Sequence, residues 1–263
     1  MVSEPLVLID RAGDIVTITM NNPSRRNALS LRMLEALADA FATTAATDAR
    51  GIVLAGAGPV FSAGHDFADM AGADEATVRH MLTTCAQLMR LIQEAPQPVV
   101  ARVHGLATAA GCQLVATCDL AVASTTAAFA APGGKGGWFC HTPMVAIGRT
   151  VSRKRAMEMA LSGDTIDAET ALAWGLVNGV AADDELDAAV AHLLMRVTRG
   201  SAASKAVGKR TLYAQLSMPQ DAAYEFATDV MARTSQMPDA QEGMHAFLEK
   251  RPAQWQPADL SRS

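Results

Sequence analysis

The segment Gly105–Asp119 reads GLATAAGCQLVATCD. Its first half is a turn of small residues. Its second half is a short apolar helix, with Gln113 in the first helical turn. A turn of small residues lets a ligand approach the main chain closely. The first N–H groups of a helix have no partner within the helix, and they carry the positive end of its dipole. A small-residue turn feeding a helix therefore makes a site for a developing negative charge, of the kind that serves as an oxyanion hole. At the position from which an acid or base would reach into that hole stands an amide, Gln113.

Outward from this segment the chain alternates strand, loop and helix. Val99–Val103 precedes it as a strand and Leu120–Ala123 follows as another. Upstream, Val78, Met81, Leu82, Cys85, Leu88, Met89 and Ile92 repeat with helical spacing, which predicts a helix over Glu75–Glu94, stopped by Ala95-Pro96-Gln97-Pro98. Gly51–Ala55 reads as a short buried strand and Gly56–Gly64 as a glycine-rich loop. Ser30 is placed to cap a helix running to about Thr44. Leu6–Asp10 and Ile15–Met20 read as a hairpin around Arg11-Ala12-Gly13-Asp14. The irregular recurrence of strand, loop and helix predicts an α/β fold with several small sheets.

After Val180 the pattern changes. Glu185–Thr198, Ala202–Leu216, Asp221–Thr234 and Asp239–Glu249 all read as helices, with breaks at Gly200, Met218-Pro219 and Met237-Pro238. This divides the chain into a mixed core, residues 1–200, and a helical region, residues 201–263. The tail from Pro252 reads as loose.

Composition narrows the function. The chain has 263 residues, half of them apolar, only 5% aromatic, with a net charge of −5. The acidic balance gives no electrostatic case for nucleic acid. No apolar run approaches the ~20 residues a membrane-spanning helix needs. The start, MVSEPLVLID, lacks a charged stretch followed by a long apolar one, so the expectation is a soluble cytoplasmic protein. Cys85, Cys112, Cys118 and Cys140 form no metal-type pair and read as small core residues. The six histidines include no HxxxH pair, so no metal site is expected.

Three loops carry candidate chemistry: Phe61-Ser62-Ala63-Gly64-His65-Asp66, Ala109-Ala110-Gly111-Cys112-Gln113 and Phe129-Ala130-Ala131-Pro132-Gly133-Gly134. With Asn21-Asn22-Pro23, Asn27-Ala28-Leu29-Ser30, Pro98-Val99-Val100-Ala101, Cys118-Asp119, Leu161-Ser162-Gly163, Gly175-Leu176-Val177-Asn178 and Ala246-Phe247-Leu248-Glu249-Lys250-Arg251, they stand in the order found in one family. The chain resembles the crotonase (enoyl-CoA hydratase/isomerase) family over nearly its whole length.

That resemblance implies a spiral of ββα units with a helical C-terminal region that forms a homotrimer or dimer of trimers. It implies an acyl-CoA thioester as ligand, coenzyme A as part of the substrate, and no tightly bound cofactor. The thioester oxygen would be held by the backbone N–H groups of His65 and Ala110. Arg25 and Arg26 would contact the CoA phosphates, joined by Lys250 from a neighbouring subunit. Ala63, Asp66 and Phe67 would border the nucleotide.

The resemblance also exposes a break in the pattern. The two glutamates that familiar hydratases use fall at Gln113 and Gly133. An amide does not accept a proton near neutral pH, and glycine offers no side chain. Losing one general acid or base typically costs ~10²–10⁴ in rate, so efficient hydration is doubtful. His141, in the loop Trp138-Phe139-Cys140-His141, has a suitable intrinsic pKa for proton transfer. Otherwise this loop packs around the acyl tunnel. Three readings stay open: a lyase or isomerase of fatty acyl-CoA metabolism that stabilises a thioester enolate (a decarboxylase among them), a non-catalytic acyl-CoA-binding protein, and a thioesterase acting through Cys140 or Cys112.

Overall fold

The structure is a computed structural model and describes residues 4–256. The chain opens with the expected hairpin, β1 (Val7–Ala12) paired antiparallel to β2 (Ile15–Met20). Arg11 and Ala12 belong to the strand, so the turn is only Gly13-Asp14, with Gly13 at a φ of 60°. Helix α1 (Leu31–Ala45) follows, and Ser30 caps it by accepting the Met33 N–H at 3.2 Å.

Three units of two strands and a helix come next. They are β3 (Gly51–Gly56), β4 (Val60–Ser62) and α2 (Glu75–Glu94); β5 (Val99–Val103), β6 (Leu106–Thr108) and α3 (Ala110–Thr117); and β7 (Leu120–Ser124), β8 (Ala128–Ala130) and α4 (Pro143–Thr150). In each unit the first strand joins one sheet and the second joins another. The larger sheet has the order β1-β2-β3-β5-β7 and is closed by β10 (Gly179–Ala181). The smaller has the order β4-β6-β8 and is closed by β9 (Ile166–Asp167). The pairs between units are parallel. The expected spiral of ββα units is therefore the architecture seen, with two sheets rather than several.

Alternation along the central strands explains two cores. Ile52, Leu54, Val99, Ala101, Val103, Ala121 and Ala123 face the main core, which also takes in α1, α2 and α3. Val53, Ala55, Val100 and Val122 point to the opposite face and meet Leu186, Val190 and Leu194 of α7 (Leu186–Val197). A strand buried on both faces reads as a continuous apolar run, as Gly51–Ala55 does.

Helices α5 (Arg153–Ser162) and α6 (Ala168–Trp174) lie between α4 and β10. The C-terminal helices are α8 (Ala202–Gln215), α9 (Gln220–Thr234) and α10 (Pro238–Leu248), each within one residue of its expected bounds. Asp119, just after α3, ties separate parts of the chain together. Its carboxylate accepts from Lys209 Nζ at 2.7 Å, from the Tyr213 hydroxyl at 2.9 Å and from the Val99 N–H at 2.7 Å. Lys209 Nζ also donates to the Ile92 and Gln97 carbonyls, so this partly buried pair fastens α8 to the core. The chain after Pro252 is not loose as far as Gln256. The Gln254 N–H donates to Glu242 and the Gln256 N–H to Asp239, and the Trp255 ring lies against Gly243. The rest of the tail lies outside the described residues.

Candidate functional site

A cavity of about 870 Å³ opens between the loops at residues 24–28, 63–67 and 132–143, beside the end of β6. The 62–66 loop and the turn into α3 form part of its wall, packed on each other. Gly64 has a φ of 83°, and a Cβ there would lie 2.9 Å from the Ala109 Cβ and 3.1 Å from the Ala110 nitrogen. Only glycine combines that backbone conformation with that approach.

The segment expected to be a turn contains strand β6, and the turn itself shrinks to Ala109. That residue has φ 50° and ψ −118°, a region that residues with a Cβ rarely adopt. Holding such a conformation typically costs about 1–3 kcal/mol. Ala110, by contrast, is not among the residues at positive φ, so its Cβ is accommodated without strain. Ala109 makes no side-chain cap to α3. The Ala110 N–H donates to no acceptor among the described residues, and neither does that of His65. The strand-like contact of Leu29 with His65 explains the latter. Leu29 N donates to the Gly64 carbonyl and Asp66 N donates back to Leu29, leaving the N–H between them unused.

Ala63, His65, Asp66 and Phe67 line the cavity, together with Arg25 and Arg26. Asp66 is buried. Its Oδ1 accepts from the Arg25 guanidinium at 2.7 Å and from the Ala68 N–H at 3.0 Å. Asp66 therefore fixes its own loop and holds Arg25 at the rim. Among the described lining residues it is the one carboxylate, against the cations Arg25, Arg26 and Lys135. The rim is thus net positive, which suits a polyanionic ligand. Asn27 holds this corner together. It is fully buried, its amide donates to the Ala57, Val60 and Phe61 carbonyls, and its oxygen accepts the Asn22 N–H.

The His65 side chain is the least satisfied polar group here. Both ring nitrogens are buried and have no hydrogen-bond partner. Burial pushes its pKa below the ordinary value. The Leu29 carbonyl lies near enough to oppose this weakly, without reaching hydrogen-bond geometry.

Gln113 is buried, but it is absent from the cavity wall, and its Oε1 has no partner. Thr108 and Ala109, just before it in the chain, do line the cavity. Gly133 does line the cavity, yet it is more than a glutamate trimmed to hydrogen. A Cβ there would lie 2.7 Å from Cys140 Sγ, 2.8 Å from the Cys140 nitrogen and closer still to the Trp138 carbonyl oxygen. The Trp138 N–H donates to the Gly133 carbonyl at 2.8 Å, and the Gly133 N–H donates to Cys140 Sγ at 3.3 Å. The 132–141 loop has closed over the space.

His141 lines the cavity from the exposed side, its ring tilted against Phe139 with centroids 5.1 Å apart. Trp138, Phe139 and Cys140 complete that wall. Burial raises the Cys140 thiol, and burial together with Cys140 pushes Cys112 up to about 12. Neither is a thiolate near neutral pH, which leaves the thioesterase route without a nucleophile. Lys250 lies just past the C-cap of α10 and is not part of the cavity wall in this chain. Lys135 and Leu82 line the site and were missed. Lys135 stands in Gly133-Gly134-Lys135-Gly136-Gly137, where a lone cation in a glycine run was the available signal. Among the described residues no cluster of His, Cys, Asp or Glu could hold a metal ion, and no helix is long and apolar enough to cross a membrane.

Comparison with known proteins follows the same lines. The family model described as enoyl-CoA hydratase/isomerase matches residues 10–258. The zebrafish protein named enoyl-CoA hydratase domain-containing protein 3, mitochondrial, is 44% identical over 98% of this chain and 90% of its own length. Its human counterpart is 40% identical over 96% of this chain and 84% of its own. A solved enoyl-CoA hydratase of Mycobacterium smegmatis superposes with a TM-score of 0.93 at 45% identity, covering 96% of this chain and 99% of that one. The solved human enoyl-CoA hydratase domain-containing protein 3 gives 0.89 at 39% identity, over 95% and 100%. The cytoplasmic expectation does not stand, because relatives matching almost the whole chain are named mitochondrial.

Proposed function

The chain belongs to the enoyl-CoA hydratase/isomerase family, and on that premise we propose that it binds an acyl-CoA thioester in this cavity and stabilises the thioester's enolate form. The observation that carries the proposal is the uncapped start of α3 beside the unused His65 N–H. Two unengaged main-chain donors from loops in contact are what a thioester oxygen requires, and one such donor is worth about 3–4 kcal/mol to an oxyanion. Arg25 and Arg26 supply charge for the CoA phosphates. Ala63, Asp66 and Phe67 border the nucleotide, with Lys250 reaching in from a second copy.

Hydration by a glutamate pair is not part of the proposal. Gln113 lies outside the cavity wall and the space at Gly133 is closed. Chemistry that needs only enolate stabilisation, such as decarboxylation of a malonyl-type thioester, fits the remaining groups. The same two positions favour a second reading, acyl-CoA binding without turnover.

The oligomer proposed is a trimer or a dimer of trimers. A groove of about 1010 Å³ between α8 and α9 leaves Leu212, Leu216, Tyr224 and Met231 exposed, an apolar area unusual on a lone subunit.

Calorimetry with CoA and acyl-CoAs, alongside turnover assays on crotonyl-CoA, longer enoyl-CoAs and malonyl-type thioesters, tests the proposal. Turnover of a malonyl-type thioester without hydration of crotonyl-CoA supports the enzyme. Micromolar binding with no turnover selects the binding protein. No binding defeats both.

A further inference from the structure

We infer that Thr108 is a specificity-determining residue, whose hydroxyl hydrogen-bonds a hydroxyl or keto oxygen carried on C3 of the acyl group. The inference rests on the acyl-CoA reading above.

Thr108 ends β6, the strand that runs into Ala109 and α3. Its neighbour Ala107 is fully buried in the main core. Side chains alternate along a strand, so that of Thr108 turns to the other face. There Thr108 lines the cavity. Its hydroxyl makes no hydrogen bond among the described residues, and it is not shut away from solvent as both His65 ring nitrogens are. An open hydroxyl can donate one hydrogen bond and accept others.

The hydroxyl belongs to the stretch that carries the two proposed main-chain donors. Thr108 precedes Ala110 by two residues, which keeps their Cα atoms within about 7 Å. A Cβ at Gly64 would lie 2.9 Å from the Thr108 carbonyl oxygen and 3.1 Å from the Ala110 nitrogen. The main chain of Thr108 therefore also borders the residue before His65.

A thioester oxygen held by the Ala110 and His65 N–H groups has both lone pairs engaged. The Thr108 hydroxyl is then left for the next polar position along the acyl chain. C2 carries the protons lost on enolisation, so that position is C3. An oxygen on C3 is only four bonds from the thioester oxygen.

Other polar side chains on the wall are engaged or belong to another loop. Asp66 accepts from Arg25 and from the Ala68 N–H. Ser24 donates to Asn22, and Cys140 accepts the Gly133 N–H. His141 and Thr142 stand on the 132–143 loop. An acyl group with only hydrogens on C3 displaces water from the Thr108 hydroxyl and gives nothing back, whereas an oxygen there restores the bond.

Calorimetry with butyryl-CoA, 3-hydroxybutyryl-CoA and acetoacetyl-CoA tests this on the full chain. The three ligands share CoA and chain length and differ at C3. Thr108→Val removes the hydroxyl and keeps the branched shape, while Thr108→Ser keeps the hydroxyl. The affinity of at least one C3-oxygen ligand relative to butyryl-CoA should fall about 3–10-fold in Thr108→Val and be retained in Thr108→Ser. Butyryl-CoA binding itself should stay within about twofold. A fall confined to 3-hydroxybutyryl-CoA shows that a hydroxyl is read, and one confined to acetoacetyl-CoA a keto oxygen. Ratios in Thr108→Val that match wild type for both ligands overturn the inference and leave the acyl-CoA reading intact. A fall that Thr108→Ser shares overturns it equally. Failure of the wild-type protein to bind any of the three overturns both. If Thr108→Val does not fold, Thr108→Ala, which also lacks the hydroxyl, is judged by the same ratios.

Discussion

Restoring the family's carboxylates should not make this protein a hydratase. The perturbation is Gly133→Glu, alone and with Gln113→Glu. Gly133 is not among the glycines at positive φ, so its backbone accepts any residue and the obstacle is space. The added Cβ meets Cys140 Sγ at 2.7 Å and the Cys140 nitrogen at 2.8 Å, with the Trp138 carbonyl nearer still. Two of these three atoms are main chain and cannot rotate away. Forcing atoms into a packed site costs about 1–3 kcal/mol. At roughly 2–4 °C per kcal/mol for a chain of this size, Gly133→Ala should lower the melting temperature by about 2–12 °C. Gly133→Glu should do so by at least as much. Calorimetric melting measures the first effect and loss of enoyl absorbance with crotonyl-CoA the second. A Gly133→Ala protein that melts with wild type, or a double variant that hydrates crotonyl-CoA 100-fold faster than wild type, would refute the argument that the loop has closed the site.

Lys209→Met should destabilise the chain by about 1–3 kcal/mol in denaturant unfolding, because the partly buried Asp119 carboxylate loses its cation; no measurable loss would show that the pair does not anchor α8. Burial lowers the folded-state pKa of both His65 and His104 below 6.5. Unfolded chains therefore bind protons that the native state refuses, so their contribution is complete above pH 6.5 and fades as the pH falls below it. Melting at pH 5 should come earlier than at pH 7, and His65→Leu should shrink the difference; an equal difference in the variant contradicts this. Met231 is 77% exposed and Tyr224 68%. Met231→Glu with Tyr224→Asp should give a monomer by sedimentation, and an unchanged assembly would move the interface elsewhere.

The long elements were readable because their signals are periodic. Cys85, Leu88 and Ile92 fall on one face of α2, and Ser30 marks the start of α1 as its residue type predicts. The strands of the smaller sheet, β4, β6 and β8, are three residues each. Alternation over three residues cannot be distinguished from a turn, so β6 was read as one. The site divides the same way. The loops that meet at the cavity were recognised from their order along the chain. Ala109, the strained residue between β6 and α3, left no trace, because alanine usually signals ordinary helix. The direction of the Gln113 side chain depends on packing around the helix, which spacing does not encode. Closure at Gly133 was equally invisible. A glycine in the sequence does not say whether the space beside it is empty or filled by Cys140 and Trp138.

The smaller sheet has a further consequence. Its strands come from near residues 60, 106, 128 and 166 and share few hydrogen bonds. Bringing such distant pieces together spends chain entropy before contacts return it. The sheet should therefore form late in folding and open only when most of the molecule opens. Its loops carry the cavity, so a ligand there would restrain the entire fold rather than one flap. At a hundredfold excess over its dissociation constant, such a ligand adds about 2.7 kcal/mol to stability. Amide protons in both sheets, and in α8 beyond the Asp119–Lys209 pair, should then slow their exchange together.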